Sequence, residues 1–378
     1  MGEMRLIYLD YTANTPVDPA VLEAFCRAER AFIGNANSAH GEGRRARAEM
    51  DRALAAIGEM LGAKSGEVIP TSGASEANNL AIQGIARAAR HVGRHIVSTA
   101  LEHSSVSGAL TALQEQGYEI DLADIRRDGT VDVEQLRSLL RRDTVLVAVG
   151  WVDSELGTVQ PVREIAEVLK EFPQCRLHVD ATQAVGKTPV RFDFADTMSL
   201  APHKFYGLNG SGALLKREGL VIEPMIHGGA STTIYRSGTP ALALTVAMEE
   251  ALSRALTAFD ARLDAVRALN QRLRTALSAY PKVRINSPEG AAPHILNLSV
   301  EGVRGAAAQR ALDARGVCVS VKSACSVEGT PSRAVFAVSR DRKNALCSWR
   351  ISLSHLTTGD EIDEFLNIFD ECYREGFR

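Results

Sequence analysis

Residues 199–214 read SLAPHKFYGLNGSGAL, and this stretch decides how the rest of the chain is interpreted. A short apolar run leads into His203 and Lys204, and an aromatic pair and three glycines follow. The pattern predicts a strand that ends next to Lys204, with a glycine-rich turn behind it. A lysine delivered there can be held with its amine inside a cleft.

A second stretch, HVDATQAVGK at residues 178–187, ends another predicted strand on Asp180. One amine and one carboxylate on neighbouring strand ends suit a pyridoxal phosphate site. Lys204 would form the Schiff base, and Asp180 would keep the pyridine nitrogen protonated so that the ring acts as an electron sink.

Composition narrows the class of protein. The chain has 378 residues, 45% of them hydrophobic, and a net charge of -3. This length predicts about two domains, and the near-neutral balance gives no electrostatic case for nucleic acid or an anionic membrane. We find no run of apolar residues that could span a bilayer and no signal peptide at the start, so we expect a cytoplasmic protein. The six cysteines form no CxxC pair, so neither a metal site nor a disulfide framework is predicted.

Strands rich in β-branched residues alternate with helices over the first two thirds of the chain. The predicted strands are residues 68–70, 95–99, 119–122, 144–152, 176–180, 197–200 and 212–216. This alternation predicts an α/β sandwich around a mainly parallel sheet, in which ligands gather at the carboxyl ends of the strands. Ser72, His103, Ser154, Asp180 and Lys204 all follow predicted strands.

The rest of the chain predicts a smaller α+β unit. One long helical region is expected over residues 242–279, followed by strands near 295–300, 317–321 and 349–353 and a C-terminal helix at 360–373. We therefore expect a large domain at residues 15–250, and a small domain formed by residues 1–14 and 251–378.

Residues 71–79, TSGASEANN, place small residues at the start of a predicted helix. Free backbone amides, a hydroxyl and the helix dipole make such a terminus an anion cradle.

The motifs TSGASEANN, LEHSSV, HVDATQAVGK, APHKFYGLNGSGAL, RSGTP, KSACS and WRISLSHLTTGDEID occur in the order seen in cysteine desulfurases. The chain resembles this family, which belongs to the class V aminotransferase group of fold-type I pyridoxal phosphate enzymes. The resemblance covers nearly the whole chain, and the cysteine motif is similar to that of the branch with a long catalytic loop.

The resemblance assigns roles around the cofactor. Lys204 would be the Schiff-base lysine and the base that moves the Cα proton, and Asp180 would pair with the pyridinium. Gln183 would donate to the phenolic oxygen, and His103 would stack on the ring and handle protons.

The same resemblance places the cofactor phosphate at Gly73, Ala74 and Ser75, with His203 beside it. Many relatives have a serine two residues before that histidine, whereas this chain has Ala201. One lost neutral hydrogen bond costs about 0.5–1.5 kcal/mol, so we expect weaker retention of the cofactor.

Other residues are assigned to the partner subunit and to the substrate. Thr239 and Arg236 would reach the phosphate of the other subunit, which implies a homodimer. Arg350 would grip the α-carboxylate of the substrate, assisted by Asn35. Ser154 stands where the family usually carries asparagine beside the ring, and its shorter side chain puts that contact in question.

Cys325 would be the nucleophile, and it lies in a polar loop of roughly twenty residues before the next predicted strand. Loops of this length are usually functional or disordered. Lys322, where relatives have glycine, would favour its thiolate. The resemblance implies conversion of L-cysteine to L-alanine with a persulfide on Cys325. The persulfide would pass to an acceptor such as an iron–sulfur scaffold or an enzyme of tRNA or cofactor thiolation.

Two alternatives stay open at this point. One is selenocysteine lyase or another class V activity such as transamination, which needs no nucleophile at Cys325. The other is a partner-binding homologue with weakened catalysis, because Ala201 and Ser154 depart from the family pattern. The sequence does not name the sulfur acceptor.

Overall fold

The computed structural model describes residues 6–64, 67–229, 231, 233–321 and 329–377. The strands are β1 (Ile7–Tyr8), β2 (Val68–Thr71), β3 (His95–Thr99), β4 (Glu119–Ala123), β5 (Thr144–Gly150), β6 (Arg176–Asp180), β7 (Thr197–Leu200), β8 (Gly212–Lys216), β9 (Val283–Ile285), β10 (Ile295–Val300), β11 (Val317–Cys318) and β12 (Ser348–Ser352). The helices are α1 (Pro19–Ala31), α2 (Gly41–Leu61), α3 (Ala74–Ala88), α4 (Ser104–Gln114), α5 (Val133–Leu139), α6 (Val162–Leu169), α7 (Leu242–Thr257), α8 (Phe259–Leu277), α9 (Gly305–Asp313), α10 (Arg333–Ser339), α11 (Arg342–Cys347) and α12 (Gly359–Glu375).

A seven-stranded sheet with the order β2-β8-β7-β6-β5-β3-β4 forms the centre of the molecule. Only β8 runs antiparallel to its neighbours in this sheet, and the other pairs are parallel. Strand β5 shows why both faces are covered. Val147 and Val149 join one hydrophobic cluster, while Leu146 and Ala148 join another on the opposite side. An apolar strand such as TVLVAVG therefore has to lie between two layers of helices, and the predicted fold class is confirmed.

A third hydrophobic cluster forms around smaller sheets. Strands β9, β10 and β12 make an antiparallel sheet, and β1 pairs in parallel with β11. Ile7 and Leu9 pack in this cluster with residues from Val266 to Phe377, and helix α7 packs in the large-sheet cluster. We propose two domains, residues 15–250 against 1–14 with 251–378, although Ala251, Leu252 and Ala255 of α7 still pack with the large sheet.

Several elements differ from the prediction. Helix α2 starts at Gly41, inside a polar, glycine-rich stretch, because the His40 side chain accepts from the Gly43 amide and caps it. The long helical region is two helices that meet at Ala258. The prediction of a twenty-residue loop after Cys325 is wrong, because helices α10 and α11 occupy residues 333–347. Strand β9 and helix α9 were not predicted.

Among the described residues, no helix is both long enough and apolar enough to cross a membrane.

Candidate active site

A cavity of about 430 Å³ lies where β3, β5, β6 and β7 end and where α3 begins. Its volume falls in the range of roughly 300–1,000 Å³ that is usual for small-molecule sites. The residues proposed from the sequence that line it are Gly73, Ala74, Ser75, His103, Ser154, Asp180, Gln183, His203, Lys204 and Arg350. Strand ends that are far apart in the sequence therefore converge on one site, as a parallel sheet requires.

Lys204 lies in a single 3₁₀ turn, Pro202–Lys204, directly after β7. Its Nζ donates to the backbone oxygens of Thr12 and Ala13, both at 2.7 Å. The same N-terminal segment fixes the turn itself, because Thr15 Oγ1 donates to the His203 carbonyl. The lysine amine is thus held at the cavity wall by backbone carbonyls.

Asp180 ends β6 and is buried. Its Oδ2 accepts from Asn78 Nδ2 at 2.8 Å, and its Oδ1 accepts from the Thr182 amide at 2.9 Å and from Ser199 Oγ at 3.3 Å. Three donors therefore surround the carboxylate. Such a group can stabilise a protonated pyridine nitrogen.

Asn78, on α3, connects this carboxylate to a buried histidine. Its Oδ1 lies 3.0 Å from His178 Nε2, and its Nδ2 also donates to Ser105 Oγ at 2.8 Å. Burial lowers the pKa of His178 to about 4, although the Asp180 charge opposes this. The ring is therefore neutral at pH 7, and because Asn78 Oδ1 can only accept, the ring proton is on Nε2 and Nδ1 is left to accept from Thr197 Oγ1. A neutral imidazole donor thereby orients the Asn78 amide so that it donates to Asp180.

His103 caps α4 with its own ring. Its Nδ1 accepts from the Ser105 amide at 3.2 Å and lies 2.9 Å from Ser105 Oγ. Burial lowers the pKa of His103, Lys204 lowers it further, and Asp180 opposes them. A neutral ring with its proton on Nε2 follows, and this ring lines the cavity.

The cradle at the start of α3 has free donors. Gly73 precedes the helix and supplies no capping side chain, while Glu76 Oε2 accepts from the Ser72 amide at 2.7 Å. Strand β8 closes against this turn at Gly212, where a Cβ would come within 2.6 Å of the Gly73 carbonyl carbon. Glycine is therefore needed there to let the two backbones meet. The amides after Gly73 can receive a phosphate.

His203 lies beside this cradle in the cavity wall. Burial lowers its pKa to about 4, and the charges of Lys204 and Lys187 act in the same direction. The donor set as a whole fits pyridoxal phosphate, because it offers an amine for the aldehyde, a carboxylate for the ring nitrogen and an uncapped helix terminus for the phosphate.

Arg350, on β12, is buried, with only 2% of its surface exposed. Its Nη1 donates to the Ser154 carbonyl at 2.7 Å, and its Nη2 donates to Asp10 Oδ1 at 2.9 Å. The Nε has no hydrogen-bond partner in the part of the chain that the structure describes. Asp10 therefore orients a guanidinium that still has donors to offer.

Both polar atoms of the Gln183 side-chain amide form hydrogen bonds. Its Nε2 donates to the Thr12 carbonyl at 3.0 Å, and its Oε1 accepts from Lys187 Nζ at 2.8 Å. Sequence reasoning did not identify Lys187, because a lysine beside a glycine is usually exposed.

Two buried carboxyl groups in the cavity wall were also missed, Glu102 and Asp153. Burial raises the pKa of Glu102 to about 8 and that of Asp153 to about 7. Glu102 Oε2 and Asp153 Oδ2 have no partner among the described residues. Their position next to His103 and Ser154 was the signal in the sequence that could have pointed to them.

Three other proposed residues, Asn35, Arg236 and Thr239, do not line this cavity. Asn35 is exposed and accepts from the Asn37 amide. Arg236 Nε pairs with Glu76 Oε1 of the same chain at 3.0 Å, and Thr239 is exposed. Cys325 lies outside the described residues, as does Lys322.

Comparisons with known proteins agree with this geometry. The family model "Aminotransferase class-V" matches residues 7–365. A "Cysteine desulfurase IscS" of Pectobacterium carotovorum is 37% identical over 94% of this chain and 90% of that protein. A "NifS/IcsS protein homolog" of Lactobacillus delbrueckii is 35% identical over 98% of this chain and 97% of that protein.

Solved structures extend the likeness to the whole fold. A "NIFS-LIKE PROTEIN" superposes with a TM-score of 0.91 at 30% identity, covering 98% of this chain and 100% of that one. The residues 7–365 that the family model matches include every residue that lines the cavity. This protein therefore belongs to the aminotransferase class-V family and, within it, to the pyridoxal phosphate-dependent cysteine desulfurases.

Proposed function

We propose that this protein removes the sulfur of L-cysteine, leaves L-alanine, and passes the sulfur through Cys325 to an acceptor protein. The observation that carries the proposal is one cavity in which Lys204, Asp180, His103 and the uncapped start of α3 meet. Relatives that share the fold over nearly the whole chain are named cysteine desulfurases.

Each residue of the cavity has a definite task in this proposal. Lys204 provides the amine that holds the cofactor and, once released, moves the Cα proton of the substrate. Asp180 faces the ring nitrogen, and the neutral ring of His103 exchanges a proton at Nε2. When bound, pyridoxal phosphate supplies the electron sink that makes the Cα proton acidic.

Arg350 would bind the α-carboxylate of L-cysteine with the donors that Asp10 and Ser154 leave unused. Its burial strengthens this contact, because a charge pair in a desolvated site is little screened. Asn35 remains our candidate for a second contact with the same carboxylate.

The sulfur step needs a nucleophile, and we assign it to Cys325. Its thiolate attacks the substrate sulfur and forms the S–S bond of a persulfide, while the substrate Cβ–S bond breaks. The electron pair of that bond stays on the carbon side, which takes up a proton and leaves as alanine. Cysteine and thiol are thereby converted to alanine and persulfide with no other reactant, and Lys322 would favour the thiolate.

We further propose a homodimer, in which Thr239 and Arg236 of one subunit complete the phosphate site of the other. The exposure of Thr239 supports a role at an interface. We propose an iron–sulfur scaffold or a thiolation enzyme as the acceptor, reached in the cytoplasm.

The test is to incubate the cofactor-loaded protein with L-cysteine, quantify alanine, and locate added sulfur by mass spectrometry. We expect alanine from the unmodified protein and one extra sulfur atom on Cys325. Cys325→Ala should abolish both, while Cys26→Ala, which removes a half-buried thiol on α1, should change neither. Alanine production that survives Cys325→Ala would refute the assignment. Release of pyruvate in place of alanine would indicate a β-lyase, and release of mercaptopyruvate would indicate a transaminase.

A further inference from the structure

Lys187 is a lysine in an unusual place. Only 6% of its surface is exposed, and no carboxylate of the described residues lies in ion-pair distance of it. Its Nζ donates to Gln183 Oε1 at 2.8 Å. Burying an amine without a counter-charge is costly, so the position calls for an explanation beyond packing.

The bond to Lys187 decides which way the Gln183 amide faces. A lysine amine carries hydrogens in both its charged and neutral forms, so the amide oxygen has to face it. The amide nitrogen then points the other way and donates to the Thr12 carbonyl at 3.0 Å. Lys204 Nζ donates to the same carbonyl at 2.7 Å. The chain of contacts therefore runs from Lys187 through Gln183 to the carbonyl that holds the cofactor lysine.

Gln183 lines the cavity next to Lys204, and its NH₂ group has a second hydrogen that Thr12 does not use. Lys187 lies behind it, outside the lining of that cavity. We infer that Lys187 is a positioning residue for the cofactor, which keeps the Gln183 amide turned so that this hydrogen reaches the cofactor's phenolic oxygen. The inference rests on the proposed function, since it requires the cofactor to sit beside Lys204.

The electrostatic environment of Lys187 favours a role as a hydrogen-bond donor over a role as a positive charge. Burial, with Lys204 and Arg350 nearby, holds the pKa of Lys187 well below its usual range. The rings of His203 and His294 also face it, and burial keeps both neutral by lowering their pKa values, to about 4 and about 3. Lys187 donates an N–H to Gln183 in either protonation state.

The experiment is a double-mutant cycle read from the absorption spectrum of the cofactor-loaded protein without substrate. The quantity measured is the pH midpoint of the long-wavelength band of the bound cofactor. A donor to the phenolic oxygen stabilises its anionic form, so Gln183→Ala should raise the midpoint by about 0.5–1 pH unit. Lys187→Met should raise it in the same direction.

The decisive measurement is the pH midpoint of the double variant, which carries both Lys187→Met and Gln183→Ala. If Lys187 acts through Gln183, Lys187→Met should add almost nothing in the Gln183→Ala protein. Equal shifts in both backgrounds would overturn the inference, because they would show a direct effect of charge. Lys216→Met is the matched control, since Lys216 is also buried and donates to carbonyls, at the far end of β8; it should leave the midpoint unchanged.

A second variant covers the case in which Lys187→Met fails to fold. Lys187→Gln keeps an N–H donor without a charge, and its midpoint should stay within about 0.2 pH units of the unmodified protein. A full shift in Lys187→Gln would overturn the inference. A protein that binds no cofactor in any form would instead contradict the proposed function, so the two failures are distinguishable.

Discussion

Asn78→Ala is the substitution whose cost the structure allows us to work out most closely. Asn78 is fully buried and bonds with Asp180, Ser105, His178 and Ser199. After truncation, the serine hydroxyls can turn to other acceptors, because Ser199 Oγ also reaches Asp180 Oδ1 and Ser105 Oγ lies by the His103 ring. Two groups cannot.

The His178 Nε2–H and Asp180 Oδ2 would stay buried without that partner. Leaving a buried polar group unpaired costs about 1–3 kcal/mol, so the free energy of unfolding should fall by about 2–6 kcal/mol. Cofactor affinity should fall as well, since Asp180 loses the donor that fixes one of its oxygens. One hydrogen bond to a charged group corresponds to roughly a tenfold or larger rise in Kd.

Urea unfolding of the cofactor-free protein measures the first effect, and titration with pyridoxal phosphate measures the second. Asn79→Ala is the control on the same helix, because Asn79 is only half-buried and bonds with Ser75 and Gln83. It should cost about 1 kcal/mol or less. If Asn78→Ala were no more destabilising than Asn79→Ala, the buried network beneath Asp180 would not have the energetic role assigned to it.

Three further predictions follow from the site. Arg350→Lys removes the planar guanidinium and its paired N–H donors, so the KM for L-cysteine should rise about 10–100-fold, with a smaller change in kcat. Steady-state kinetics measure both constants, and a change in kcat alone would argue against carboxylate binding. Gly212→Ala forces a Cβ into the Gly73 backbone, so the Kd for pyridoxal phosphate should rise about tenfold or more, whereas Gly290→Ala, which meets no neighbour, should leave it unchanged. Stability should be greatest near pH 6–7, because two sets of buried groups pull in opposite directions. The buried or half-buried imidazoles, with pKa values lowered by burial to about 3–4, are His178, His203, His294 and His355. The unfolded chain protonates these below its pKa of about 6.5, so stability falls as the pH falls from 6.5 toward 4. Glu102 and Asp153, with pKa values raised to about 8 and about 7, keep protons that the unfolded chain releases above about pH 4, so they oppose the four imidazoles from that pH upward. Above about pH 6.5 only these two carboxyl groups still act, and stability falls as the pH rises to about 8. Urea midpoints from pH 4.5 to 8.5 check this, and stability that keeps rising through pH 8 would contradict it.

Much of the fold could be predicted because it depends on local patterns. The runs that became β3, β6, β7 and β8 are short and apolar, and each begins where the sequence places it. The start of α2 is harder to place from the sequence, because its glycines disfavour a helix while the His40 cap and the alanine and arginine content favour one. Helices α10 and α11 were missed because each is only about two turns long, too short for a clear period.

The candidate site was predictable where its residues follow strands, and not where they act through distant partners. Lys204 and Asp180 could be identified from strand ends alone. Asn78 and His178 are 100 residues apart in the chain, and their pairing arises only when α3 packs over β6. A histidine inside an otherwise apolar strand was the available signal for such a partner. The environment of Lys187 likewise depends on burial, which a single sequence does not reveal.

The central structural claim is that the amine of Lys204 holds pyridoxal phosphate in the cavity beside Asp180. The most direct measurement is to load the protein with the cofactor, reduce it with borohydride, digest it, and locate the modified lysine by mass spectrometry. The account predicts one label per chain on Lys204, and no label at the site in Lys204→Ala. A label on Lys187, or equal labelling of Lys204→Ala and the unmodified protein, would contradict it.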